Sequence, residues 1–192
     1  MNSIKEFEKV SSLDRKRLVI LYQLLRLTDF IKGDVAEVGV YKGGSAKMLA
    51  ETIWPFNKNI HLFDTFCGMP KVDTTKDNHH KEGDFAGTSL DIVQKYLEYC
   101  FNTCIYPGFF PDTAKNVLGP FSFVHIDVDI YQSTLDCYEF FYPKMSYNGI
   151  IVCDDYNFAS CLGAKFAVDE FFEDKPEVPI CLSTRQCFVI KR

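Results

Sequence analysis

Two β-like runs near the C-terminus, VPICL (178–182) and QCFVIK (186–191), are separated only by Ser183, Thr184 and Arg185. A parallel crossover needs about a dozen residues or more. These two runs must therefore pair as an antiparallel hairpin. Upstream, five further β-like runs alternate with helical stretches, the pattern of an α/β protein with a mainly parallel sheet. The expected architecture is a seven-stranded, mainly parallel sheet ending in an antiparallel hairpin, with helices on both faces.

The five upstream runs are DVAEVGV (34–40), NIHLF (59–63), CIYPG (104–108), FSFVHID (121–127) and IIVC (150–153), the last entered through an Asn148-Gly149 turn. Helices are expected over 12–31, where Leu18, Leu21 and Leu25 share a face, and after the first strand, where Ala46, Leu49, Ala50 and Ile53 recur at helical spacing. The first of these covers either the sheet or a partner subunit, which leaves room for a homodimer. Another helix starts at Thr88, which has capping-box-like spacing to Asp91. Two more cover 133–141 and 163–173. Residues 1–33 read as an N-terminal helical extension and 34–192 as one domain. The segment 65–87 is long, polar and punctuated by Gly and Pro, the composition of a lid or a disordered loop.

A net charge of −5 without any basic block argues against nucleic acid as a main partner. The polar N-terminus lacks the apolar core of a secretory signal, and no apolar run approaches the ~20 residues that span a bilayer. A cytoplasmic location is expected. The eight cysteines are scattered, with no CxxC pair, and read as reduced core thiols. Their spacing does not support zinc.

Three groups of residues carry chemistry. Glu37-x-Gly39-x-Tyr41-x-Gly43-Gly44-Ser45 lies at the first strand-to-helix turn. Glycines there let backbone approach a ligand, and the next helix offers free N–H groups to an anion. The spacing differs from the GxGxxG of dinucleotide sites. It suits a ligand with an amino-acid end: an acid for the ammonium or sulfonium, Ser45 and helix N–H groups for a carboxylate. Asp64 ends the second strand, where a carboxylate can accept from both ribose hydroxyls. Asp127, Asp129, Asp154 and Asp155 end the fourth and fifth strands, where neighbouring chains lie ~4.8 Å apart. Like charges gathered there repel unless a hard cation such as Mg²⁺, Mn²⁺ or Ca²⁺ sits among them. The bland alternatives are a ligand-free turn, strand-end caps and solvated charges. His79 and His80 read as solvated loop histidines, and His125 as a satisfied core histidine.

The segments AEVGVYKGGSA, LFDTFCGMP, GTSL, PGFFPDT, HIDVDIYQST, DDYN and GAKFAVDEFF together closely resemble the macrocin-type O-methyltransferases, across residues 34–191. The resemblance implies the Rossmann-like class I methyltransferase fold and S-adenosylmethionine contacts at Glu37, Gly39, Tyr41, Gly43, Ser45 and Asp64. It implies Mg²⁺ or Mn²⁺ ligands at Asp127, Asp154 and Asp155, with Asp127 as first and Asp129 as second candidate for the general base. The acceptor would be a sugar or another small hydroxylated molecule. The turn also looks like that of the catechol O-methyltransferases, but Ile130 stands where those enzymes place a lysine base. The short segment before the first strand departs from the sugar enzymes' longer helical region. A metal-independent methyltransferase and an inactive cofactor-binding subunit are the competing expectations.

Overall fold

The computed structural model describes residues 4–192; residues 1–3, part of the expected N-terminal extension, lie outside the described residues. Five strands run parallel: β1 (Asp34–Val38), β2 (Ile60–Asp64), β3 (Thr103–Pro107), β4 (Phe121–Ile126) and β5 (Met145–Cys153). The chain closes with β6 (Ile180–Cys181) and β7 (Cys187–Ile190), an antiparallel hairpin as so short a connection requires. β7 pairs antiparallel with β5, so the sheet order is β3-β2-β1-β4-β5-β7-β6.

Side chains alternate across the sheet and separate two cores. On one face, Val35, Ile60, Leu62, Phe123, Ile150 and Val152 meet α1 (Ile4–Glu8), α2 (Arg15–Arg26), α3 (Gly44–Ile53) and α4 (Leu90–Tyr96). On the other, Ala36, Val38, Phe63, Val124, Ile126 and Ile151 meet α5 (Tyr131–Phe141) and α6 (Leu162–Phe172). Helix α2 is shorter than the 12–31 expected, because the Asp14 carboxylate accepts the N–H groups of Lys16 and Arg17 and starts the helix there. Its Leu18, Leu21 and Leu25 are buried against the chain's own sheet. Helix α1, which the sequence pattern did not suggest, is short and anchored by the fully buried Phe7.

Two local expectations are corrected. Helix α4 is capped by Ser89, whose Oγ accepts from the N–H of Ile92, whereas Thr88 donates its hydroxyl to the Tyr41 carbonyl. Asn148-Gly149 is not a turn before β5 but an irregularity within it. Phe121 pairs with Met145 while Phe123 pairs with Ile150, and Asn148 takes up a left-handed φ of 63°. Asn tolerates that conformation better than most residues. The displaced backbone is not wasted, since Asn148 N–H donates to Lys191 O and Lys191 N–H to Gly149 O.

Glu177 ties the chain end to the second core. Its carboxylate accepts from Tyr142 Oη at 2.7 Å, Lys191 Nζ at 2.9 Å and the Arg192 N–H at 2.9 Å. Burial opposes its charge, but these three donors prevail and hold its pKa down to about 2, against an ordinary 4.5. A carboxylate with a depressed folded-state pKa stabilises above its unfolded pKa and loses that contribution as pH falls through the folded one. Glu177→Gln should therefore cost about 1–3 kcal/mol at neutral pH. In urea titrations the gap from wild type should close as pH falls from 4.5 towards 2. A gap independent of pH would mean that the carboxylate charge is not what holds the terminus.

Candidate active site

The sheet order reverses between β1 and β4, and ligands of open α/β sheets bind beyond the carboxyl ends of the strands at such a point. Here the two strand ends touch. The Asp127 N–H donates to Val38 O at 2.9 Å, and a Cβ on Gly39 would lie 1.8 Å from the Asp127 carbonyl oxygen. With a φ of 89° as well, position 39 admits only glycine without strain. The bend that follows is held by Asp64, whose Oδ2 accepts the N–H groups of Val40 at 2.7 Å and Tyr41 at 2.8 Å. Its Oδ1 accepts the N–H of Phe66 at 2.7 Å. One carboxylate thus ties the ends of β1 and β2 together while still facing the crevice.

A cavity of about 310 Å³ opens there. Gly39, Tyr41 and Asp64 line it together with Asp127, Asp129 and Asp155. Of the six expected cofactor residues, Glu37, Gly43 and Ser45 are not in its wall. Gly43 is the left-handed N-cap of α3 and Ser45 is buried in that helix's first turn. Glu37 sits inside the sheet, on the face covered by α1–α4, and is wholly buried.

Glu37 belongs instead to a chain of buried charges. Its Oε1 is 2.8 Å from His125 Nδ1, while Oε2 has no partner. His125 Nε2 stands 3.6 Å from Asp154 Oδ1, an ion-pair separation rather than a hydrogen bond. Asp154 accepts from Gln186 Nε2 at 2.7 Å and from the Arg17 guanidinium. Burial alone would strip the charge from His125, yet the carboxylates of Asp154 and Glu37 carry its pKa up to about 10. Burial likewise opposes charge on Asp154, but His125, Arg17 and Gln186 hold its pKa below the ordinary carboxylate value. Arg17 and Gln186 carry no motif signal, and only the packing of α2 and the hairpin brings them here.

Two cations therefore serve Glu37 and Asp154, and the remaining acids are left short. Burial pushes Asp127 well above the ordinary carboxylate range, with Asp154 adding to it, and does the same to Asp155 with Asp129 and Asp127 adding. Asp127, Asp154 and Asp155 each present a carboxylate oxygen within 4.8 Å of the others. Hard donors crowded into one spot, with their charge suppressed by mutual repulsion, fit a Mg²⁺- or Mn²⁺-class ion. Arg17 supplies a positive charge at one edge of this group. Asp129 stands beside it: its N–H donates to Asp155 Oδ2 at 2.9 Å, but its carboxylate turns towards His80 and Cys161.

The segment 65–87 is folded back on itself. Met69 N–H donates to Asp84 O, and Gly83 N–H returns to Met69 O. Asp77 pins it to the start of α5 by accepting the Tyr131 N–H at 3.1 Å. His79 is exposed as expected. His80 is not solvated, since its side chain is only 9 % exposed and lies in the cavity wall. Phe85, from the same segment, meets the Tyr41 ring edge-on at 5.9 Å and narrows the mouth.

Five parallel strands closed by an antiparallel pair, with helices on both faces and a glycine bend at the switch point, define the Rossmann-like fold of class I methyltransferases. Within that class the chain belongs to the macrocin-O-methyltransferase (TylF) family, whose model matches residues 10–180. It is 28 % identical over 154 residues to 8-demethyl-8-(2,3-dimethoxy-alpha-L-rhamnosyl)-tetracenomycin-C 4'-O-methyltransferase of Streptomyces olivaceus, covering 72 % of this chain and 58 % of that protein. It is 29 % identical over 155 residues to mycinamicin III 3''-O-methyltransferase of Micromonospora griseorubida, covering 70 % and 59 %. The chain thus spans under two thirds of the length of these curated relatives. The solved structure of the O-methyltransferase NovP superposes with a TM-score of 0.83 at 24 % identity, covering 95 % of this chain and 82 % of that one. Calicheamicin methyltransferase CalS11 superposes at 0.77 and 17 %, covering 97 % and 89 %. Both likenesses establish the fold. Among the described residues no helix is long and apolar enough to cross a membrane.

Removing the imidazole would leave Glu37 and Asp154 facing each other in a dry interior. His125→Leu is therefore expected to cost about 3–5 kcal/mol, read by urea unfolding. A loss within about 0.5 kcal/mol, the range of an ordinary surface change, would show that these acids do not carry charge in the folded protein.

Proposed function

We propose that this chain is an S-adenosylmethionine-dependent O-methyltransferase acting on a hydroxyl of a sugar or another small hydroxylated acceptor, assisted by Mg²⁺ or Mn²⁺. One observation carries the proposal: a single cavity is lined by the glycine bend with Asp64 and by Asp127, Asp129 and Asp155. A nucleoside amino acid fits the bend with Asp64, and a hydroxyl nucleophile fits the acidic group. Family membership supports the reaction class, and the sugar-directed relative from S. olivaceus supports the acceptor class.

When bound, S-adenosylmethionine supplies an electrophilic methyl group, and the dication supplies Lewis acidity that lowers the pKa of the acceptor hydroxyl. Asp127, Asp154 and Asp155 would hold the cation. Gly39 lets the end of β1 close against Asp127 while its backbone lines the cofactor space, Tyr41 walls the site, and Asp64 presents a carboxylate to ribose hydroxyls. The acceptor's proton would go to a carboxylate oxygen of Asp127 or of Asp129. Phe85 and the folded 65–87 segment narrow access for water. Alignment of the two reactants within one small cavity would supply much of the rate.

Arg17 motivates a second reading, in which the chain's own guanidinium neutralises Asp154 and transfer needs no metal. Chelation separates the two: loss of transfer with EDTA and recovery with Mg²⁺ supports the first, full retention the second.

Calorimetric titration with S-adenosylhomocysteine should show one-to-one binding that Gly39→Ala abolishes. Methyl transfer onto a panel of deoxysugar-bearing acceptors should fall by about 10²–10⁴-fold in Asp127→Asn, with cofactor affinity kept. No binding by the wild-type protein would remove the methyltransferase proposal. Binding without transfer to any acceptor would leave a cofactor-holding subunit.

A further inference from the structure

His80, Asp129 and Cys161 come from three separate segments: the 65–87 loop, the turn after β4, and the residue that precedes α6. All three reach the cavity wall. Their donor atoms form a nearly equilateral triangle. Cys161 Sγ lies 3.5 Å from His80 Nε2 and 3.5 Å from Asp129 Oδ1, and His80 Nε2 lies 3.6 Å from Asp129 Oδ1. Tetrahedral zinc, with Zn–S of about 2.3 Å and Zn–N and Zn–O of about 2.0–2.1 Å, sets nitrogen and oxygen about 3.3–3.4 Å apart and each about 3.5–3.6 Å from sulfur. The two edges to sulfur match one face of that tetrahedron, and the nitrogen–oxygen edge is within about 0.3 Å of it. Hydrogen bonding accounts for the two contacts to sulfur, while the third edge, too long for a hydrogen bond, is an ion-pair separation.

The surroundings also suit a metal. A ligating imidazole usually turns its other nitrogen to a carboxylate, and His80 Nδ1 stands 3.7 Å from Asp84 Oδ2. Asp129 is held in a left-handed φ of 62°, with its N–H bonded to Asp155, which keeps its carboxylate aimed at the other two ligands. Cys161 is 3 % exposed and its thiol also meets Ser160 Oγ.

We propose that His80, Asp129 and Cys161 form a metal site for a borderline-soft divalent cation of the zinc class, with its fourth position open to the cavity. Thiolate and imidazole donors select such an ion over Mg²⁺, and three protein ligands with one vacant vertex is the arrangement that leaves room for water or an acceptor oxygen. On binding, the Cys161 thiol gives its proton to solvent and Sγ takes the metal. This site is separate from the all-oxygen Asp127–Asp154–Asp155 group and stands whether or not the chain transfers methyl groups. With Asp129 engaged as a ligand, the acceptor's proton falls to Asp127.

Cobalt(II) added to chelator-treated full-length protein provides the test. One equivalent should produce a thiolate-to-cobalt charge-transfer band in the near ultraviolet together with intense tetrahedral ligand-field bands in the visible, both displaced by Zn²⁺. Cys161→Ser should lose the charge-transfer band, and His80→Ala should lose stoichiometric binding. Asp84→Asn should weaken binding by about 10–100-fold while keeping the band. Asp154→Asn should leave the spectrum unchanged. Circular dichroism confirms that each variant is folded. A charge-transfer band that survives in folded Cys161→Ser, or cobalt bound with no such band in the wild type, would overturn the proposal and leave the methyltransferase reading untouched.

Discussion

Charge that cannot reach water governs the carboxyl edge of this sheet. Glu37, His125 and Asp154 are wholly buried on neighbouring strands, and each would be intolerable alone. Together with Arg17 they alternate in sign along the strand ends, and that alternation requires β1, β4 and β5 to sit side by side in their observed register. It also recruits the N-terminal helix. α2 packs where its apolar stripe is covered and where Arg17 meets Asp154, so the segment before β1 completes the electrostatics of the edge.

The same bookkeeping explains why the cavity wall is reactive. Once His125 and Arg17 have been taken by the interior acids, Asp127, Asp129 and Asp155 face the cavity with proton affinities raised by burial and by one another. Such a wall is stable only with a proton or a cation on it. Hydroxyl chemistry uses either: a metal to acidify the acceptor, or a carboxylate ready to take its proton. Asp64, also in the cavity lining, bonds three backbone N–H groups, so it shapes the bend as well.

Family membership and fold narrow the chemistry more than the acceptor. The curated O-methyltransferases it resembles are matched over under two thirds of their own lengths. One part of this cavity's lining comes from the 65–87 segment. That segment is pinned by Asp77 and brings His80 and Phe85 to the rim, and a small change of loop sequence would change what the rim admits.

The strand and helix order, the terminal hairpin and the convergence of Asp127 with Asp154 and Asp155 were legible in the chain. They follow from hydrophobic period, connection length and strand-end position, all local quantities. Gly39 and Asp64 were legible for the same reason, since a bend's chemistry is carried by the residues that make it. The tertiary structure alone decided that Glu37 serves His125 rather than the cavity, because strand alternation places it on the face that α2 and α3 cover. It alone brought in Arg17 and Gln186, and turned His80 from a loop residue into a neighbour of Asp129 and Cys161. Sequence spacing gave no hint of a thiolate site, because its three donors are separated by whole elements. Pattern reports what a residue does to its own segment; a partner supplied by another layer depends on packing, which no spacing along one chain encodes.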